Sequence, residues 1–164
     1  MNGLILYYSR TNKTRYVAEI IKESLDKFEL FELLEKNFSL RYGLLGYVKS
    51  GFDSVFNKKT ELVKQPDFSK YDIIIFCSPV WAGKPAVPVR QVIEDNSLIL
   101  QNKIKFIVTT SGGKSPGTYK FIEKLIGKSE YNLNFSSLSN EKLRIKQKIT
   151  PEIQDLIQKI SVKL

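Results

Sequence analysis

The chain has 164 residues, with 26 Lys plus Arg against 17 Asp plus Glu, a net charge of +9, no His, one Cys and one Trp. Without His there is no Ser-His-Asp triad, no Cys-His nucleophile pair and no imidazole metal site; one Cys allows neither an intramolecular disulfide nor a zinc ribbon. The 42% hydrophobic content suits a core, and residues 1–164 read as one domain with no repeat or linker.

No run approaches the roughly 20 apolar residues of a membrane helix. The apolar run at the N-terminus is also too short for a signal sequence, so a soluble, cytoplasmic protein is expected.

Leu4 to Tyr8 is a short apolar run, as in a buried parallel strand. Val17, Ile20, Ile21 and Leu25 follow at helical spacing. Phe28 to Leu33 alternates with period two, which predicts an edge or half-exposed strand. Leu44, Val48, Phe52, Val55 and Phe56 again fall at helical spacing, against the pull of Gly43, Gly46 and Gly51. Ile73 to Cys77 is the most apolar run and predicts a central strand. Pro88 suits the first turn of a helix carrying Val89, Val92 and Ile93. Ile104 to Thr110 is a further strand, and Phe121, Ile122, Leu125 and Ile126 a further helix. Leu133 to Leu138 is a weaker strand. Ile153, Leu156, Ile157 and Ile160 mark a last helix, with Thr150 as N-cap and Pro151 at its first position.

Strands alternating with helices imply an α/β sandwich whose parallel sheet is covered on both faces. In such sheets ligands bind beyond the carboxyl ends of the strands, where the strand order reverses. Three loops lie there. Ser9-Arg10-Thr11-Asn12-Lys13-Thr14 joins a buried strand to a helix, and its three hydroxyls and two cations exceed what N-capping needs. Unpaired N–H groups at a helix N-terminus suit a phosphate. Ser78-Pro79-Val80-Trp81-Ala82-Gly83-Lys84-Pro85 carries the single Trp, either a lid over the core or a stacking surface for an aromatic ligand. Thr110-Ser111-Gly112-Gly113-Lys114-Ser115 has two successive glycines. It is not a nucleotide P-loop, because position 108 is Val where that pattern needs Gly.

These three loops, in this order, resemble the phosphate loop and the two flavin-ring loops of the flavodoxin family, and the likeness spans essentially the whole chain. The resemblance implies a flavodoxin-like three-layer sandwich with a five-stranded parallel sheet of order 2-1-3-4-5 and one non-covalent FMN. It assigns the phosphate to the hydroxyls of Ser9, Thr11 and Thr14 and the backbone of Arg10, Asn12 and Lys13. It assigns the ring and ribityl chain to Ser78, Pro79, Val80, Trp81, Ala82 and Gly83, with Ser111, Gly112 and Gly113 on the other side. It also implies a peptide at Ala82 or Gly83 that turns over with redox state. Asn12 stands where the family usually has Gly, and Asn tolerates a left-handed backbone. No aromatic residue lies within 111–118, so Tyr119 is the nearest candidate to stack on the second ring face.

The expected function is electron transfer through the flavin, with no catalytic side chain and no metal. An FMN-dependent NAD(P)H:quinone-type reductase is the alternative on the same fold. Cys77 is expected to be a core residue. Residues 101–164 hold 12 basic and 5 acidic side chains, against 14 and 12 in residues 1–100. That excess leaves room for an acidic redox partner or, less readily, a nucleic acid. Stacking aromatics are scarce in that third beyond Tyr119, Phe121 and Tyr131.

Overall fold

A computed structural model describes residues 1–36, 59–111, 113, 115–135 and 142–164, of which 142–150 as backbone. The helical reading over 44–56, the assignment of Gly112 and residues 136–138 of the expected last strand lie outside the described residues. Chain order is β1 (Gly3–Tyr7), α1 (Lys13–Glu23), β2 (Phe28–Glu32), a 3₁₀ turn (Phe68–Lys70), β3 (Ile73–Trp81), β4 (Lys84–Pro85), α2 (Val87–Asp95), α3 (Ser97–Gln101), β5 (Ile104–Thr110), α4 (Pro116–Ile126), β6 (Tyr131–Phe135) and α5 (Lys142–Ser161).

The long strands are parallel and ordered β2-β1-β3-β5-β6, with the two-residue β4 folded back antiparallel on β3. Counting the long strands alone, this is the expected 2-1-3-4-5 order. The reversal falls between β1 and β3, so the loops after β1 and β3 flank the crevice such sheets use for ligands.

Side-chain alternation along the strands divides the core in two. Ile5, Tyr7, Ile75, Cys77, Phe106 and Val108 face α1 and α5, where Val17, Ile21, Leu156 and Ile160 meet them. Leu4, Leu6, Tyr8, Ile74, Phe76 and Ile107 face the other layer and pack on Val89, Val92, Ile122 and Ile126. All of β1 and the stretch Ile73–Ser78 of β3 are buried, which is why they read as apolar runs.

Three elements differ from expectation. β3 does not end at Cys77: it stays paired with β5 through Pro79 and then turns back into β4. The short helix α3 has no counterpart in the sequence reading. The last helix does not start at Pro151 but at Lys142, and Pro151 lies inside it. A proline there forfeits the bond to the carbonyl four residues back. The buried stripe of Ile153, Leu156 and Ile160 holds the half that follows.

Cys77 is fully buried, and burial pushes its thiol well up from the ordinary range. A thiol held neutral and out of solvent is a poor nucleophile. The folded protein should therefore leave a colorimetric disulfide reagent unreacted over the time in which urea-unfolded protein releases one equivalent of chromophore. Stoichiometric reaction of the folded protein would show that β3 opens locally.

Candidate functional site

The site is assembled where β1, β3 and β5 end. The first loop rises from β1 and closes into α1. Asn12 caps the helix with φ 62°, a left-handed backbone that Asn accepts more readily than most residues. The first helical bond runs from the N–H of Tyr16 to the carbonyl of Asn12. The N–H groups before Tyr16 therefore have no acceptor within the helix. No acidic residue lies in the first turn, so the positive end of the helix dipole is not neutralised there.

The hydroxyls of this loop differ in their surroundings. Ser9 is 9% exposed, and its Oγ is buried without a hydrogen-bond partner. An unsatisfied buried hydroxyl costs about 1–3 kcal/mol. Thr11 is exposed. Thr14 is buried, with its Oγ1 2.7 Å from the Oγ1 of Thr110 at the end of β5. If Thr110 donates, the Thr14 proton is free for a ligand; a hydroxyl can do both at once. Arg15 is committed elsewhere, since its Nη2 donates to both oxygens of Glu32 at 2.5 and 2.7 Å.

The second loop is a two-residue hairpin. Its central residues, Ala82 and Gly83, have φ 49° and 75°, the pairing of positive angles that marks a type I′ turn. Ala82 carries strain there that Gly83 does not. The hairpin is tied to α4: the Thr118 hydroxyl donates to the Gly83 carbonyl at 3.1 Å. A Cβ on Gly117 would sit 3.1 Å from the same oxygen, so close approach explains a glycine at 117. Ser78 is wholly buried; its Oγ donates to the Pro79 carbonyl and accepts from the Ala86 N–H, fastening the loop's base.

Trp81 is largely covered. Its ring meets Tyr8 edge to face at 5.6 Å, and the Arg10 guanidinium lies 5.6 Å from its centroid. Tyr8 in turn donates to the buried carboxylate of Glu35 at 2.8 Å, which also accepts from the Thr60 hydroxyl. The sequence reading missed Tyr8 and Glu35 as supports of this loop.

The third loop leaves β5 at Ser111. The Ser111 Oγ donates to the Gly113 carbonyl, and the Ser115 hydroxyl reaches Ser111 at 2.9 Å. Tyr119, on α4, is half-buried with its phenol 2.8 Å from Thr109 Oγ1. Burial raises that phenol from its ordinary range. Thr109 and Thr110 point to opposite faces of the sheet. Thr110 reaches the first loop, and Thr109 reaches the layer of α4.

The three loops, 9–14, 78–88 and 111–118, contain Arg10, Lys13, Lys84 and Lys114 and no acidic residue. In the last third of the chain several cations are engaged in the fold. Lys105 is buried and donates to the carbonyls of Gln101 and Lys103, while Lys159 and Lys163 pair with Asp155 and Glu130. Among the described residues no cluster of metal-ligating side chains occurs, and no helix is long and apolar enough to cross a membrane.

This sheet order, with the crevice beside β1 and β3, defines a flavodoxin-like fold. Solved structures show the same architecture. One is a flavoprotein from Lactobacillus acidophilus, solved in complex with FMN; it is 22% identical, with a TM-score of 0.67 over 81% of this chain and 92% of that one. Oxidised flavodoxin 2 from Bacillus cereus is 16% identical, with a TM-score of 0.57 over the full length of both. No protein-family profile and no curated protein matches the chain.

Proposed function

We propose that this protein binds one FMN and carries electrons on it. The observation that supports this most is Ser9, a buried hydroxyl without a partner at a helix N-terminus whose first turn holds no acid. A phosphate group supplies the acceptor that Ser9 lacks, and meets unpaired N–H groups and a positive dipole. The residues present therefore fit the phosphate end of the cofactor. Ser9, Thr11 and Thr14 bond its oxygens, and Arg10 and Lys13 add positive charge. The hairpin at Ala82–Gly83 and the loop at Ser111–Gly113 hold the ring. Similarity to an FMN complex points the same way.

Bound FMN supplies reversible redox chemistry on its ring; the protein supplies position and electrostatics. The three loops hold no carboxylate, imidazole or thiol. This suits outer-sphere electron transfer. A second reading, an FMN-dependent NAD(P)H:quinone-type reductase, is favoured by Tyr119. Its phenol is bonded to Thr109, and a Tyr119 kept there would leave the second ring face to a substrate.

The four cations and absent acids of the three loops, with the basic last third, favour a redox partner with an acidic surface.

Titration of the colourless protein with FMN tests the reading. We expect a yellow complex, quenched flavin fluorescence and one-to-one saturation. Unquenched FMN at every protein concentration overturns it. Adding NAD(P)H to the loaded protein then separates the two activities, since rapid bleaching selects the reductase and persistent colour the carrier.

A further inference from the structure

Asn134 belongs to no loop, lies on the edge strand β6, and was read from the sequence only as part of a weak strand. It sits opposite Thr109 in the β5–β6 register, on the face away from Leu133 and Phe135. Its Oδ1 accepts from Thr109 at 2.8 Å and lies 2.9 Å from the Ser111 Oγ, whose one proton it shares with the Gly113 carbonyl, and 3.5 Å from the Ser115 Oγ. Its Nδ2 donates to the Gly113 carbonyl at 2.9 Å. That last bond settles which way the amide faces, because a carbonyl can only accept. One side chain thus gathers the strand end, both serines and the backbone of the third loop. Through Thr109 it also reaches the phenol of Tyr119.

We propose that Asn134 is the positioning residue that sets the shape of the third loop, and with it the ring half of the flavin site. The second clause rests on the FMN reading above. The two halves of the site then have separate supports. Thr110 and Thr14 serve the phosphate half on one face of the sheet, and Asn134 and Thr109 serve the ring half on the other.

An isosteric change tests this directly. In Asn134→Asp the Oδ1 contacts persist, but an ionised oxygen replaces the N–H and faces the Gly113 carbonyl, so the loop is pushed away. Protonation returns a donor to that position and restores the bond. Among the described residues two other titratable groups lie nearby, both on α4, and Lys114 belongs to the loop itself. Tyr119 stays protonated across the range used, its phenol raised by burial, and Glu123 is occupied by Ser129 and Asn132.

The first measurement needs no flavin. In the ¹⁵N-labelled variant, the backbone signals of Ser111, Gly113 and Ser115 should move together through a single carboxyl titration that wild type lacks, while those of Ile73–Phe76 stay fixed. Loop signals that do not move at any pH at which the protein stays folded, or strand signals that move with them, overturn the loop role. The second measurement compares ligands. Above the midpoint of that titration the variant should bind FMN and riboflavin both about tenfold more weakly than wild type, and below the midpoint it should recover to within about twofold. A loss confined to FMN, or no recovery, overturns the ring-half role. Wild-type protein that binds neither flavin overturns the FMN reading and this second clause, while the first measurement still decides the loop role.

Discussion

Replacing Thr11 and Thr14 together by Ala weakens FMN on the order of a hundredfold or more, while riboflavin, which lacks the phosphate, changes only about threefold. The estimate follows from two hydrogen bonds to a charged group, each worth about 1.5–3 kcal/mol. The two sites are unequal. Thr11 is exposed, so its loss removes one donor and little else. Thr14 is buried against Thr110, so its loss also strands the Thr110 hydroxyl at a cost to the fold of about 1 kcal/mol. Thr110→Val breaks the same buried bond without removing the Thr14 hydroxyl, and so measures the structural share separately. Fluorescence titration with both ligands, beside a urea melt of each variant, checks the expectation. Equal losses for FMN and riboflavin would place the phosphate elsewhere.

The largest effect on stability belongs to Phe76→Ala. Phe76 lies mid-strand in β3, between Leu6 and Ile107, and is fully buried. Removing such a ring leaves a cavity that neighbouring strands cannot close, since their hydrogen-bond ladders fix the spacing. The cost is about 3–5 kcal/mol, or roughly 10 °C in melting temperature for a chain of this size. Against a typical total of about 5–15 kcal/mol this removes a large fraction of stability. Urea denaturation followed by circular dichroism gives the number. A change under about 1 kcal/mol would mean that the ring is not packed as described.

Much of the fold was legible because a doubly covered parallel sheet writes itself plainly. Leu4-Ile5-Leu6 and Ile73-Ile74-Ile75-Phe76 are apolar on both faces, and no other common element has that signature at that length. The half-exposed edge strand at Phe28–Glu32 was legible from its alternation. The hairpin at Trp81–Lys84 was not, because its turn places Ala at a left-handed position where Asn, Asp or Gly would have announced it. The continuation of α5 through Pro151 was hidden because proline usually opens helices.

Within the site, the three loops could be placed from their position after strands. Which hydroxyls are already spoken for could not. The Thr14–Thr110 pair, the burial of Ser78 and the unpaired Ser9 depend on contacts between segments far apart in the chain. Asn134 left a faint trace: Asn132 and Asn134 alternate with Tyr131, Leu133 and Phe135, so two amides share one face of a short strand.

The bond between Thr14 and Thr110 spans 96 residues, and that between Thr118 and Gly83 spans 35. Such pairings carry a loop-closure entropy that local contacts do not. The site therefore depends on the whole chain and on no one segment of it. An FMN bound as proposed would meet loops gathered from across the folded chain, and its binding would add to stability by mass action.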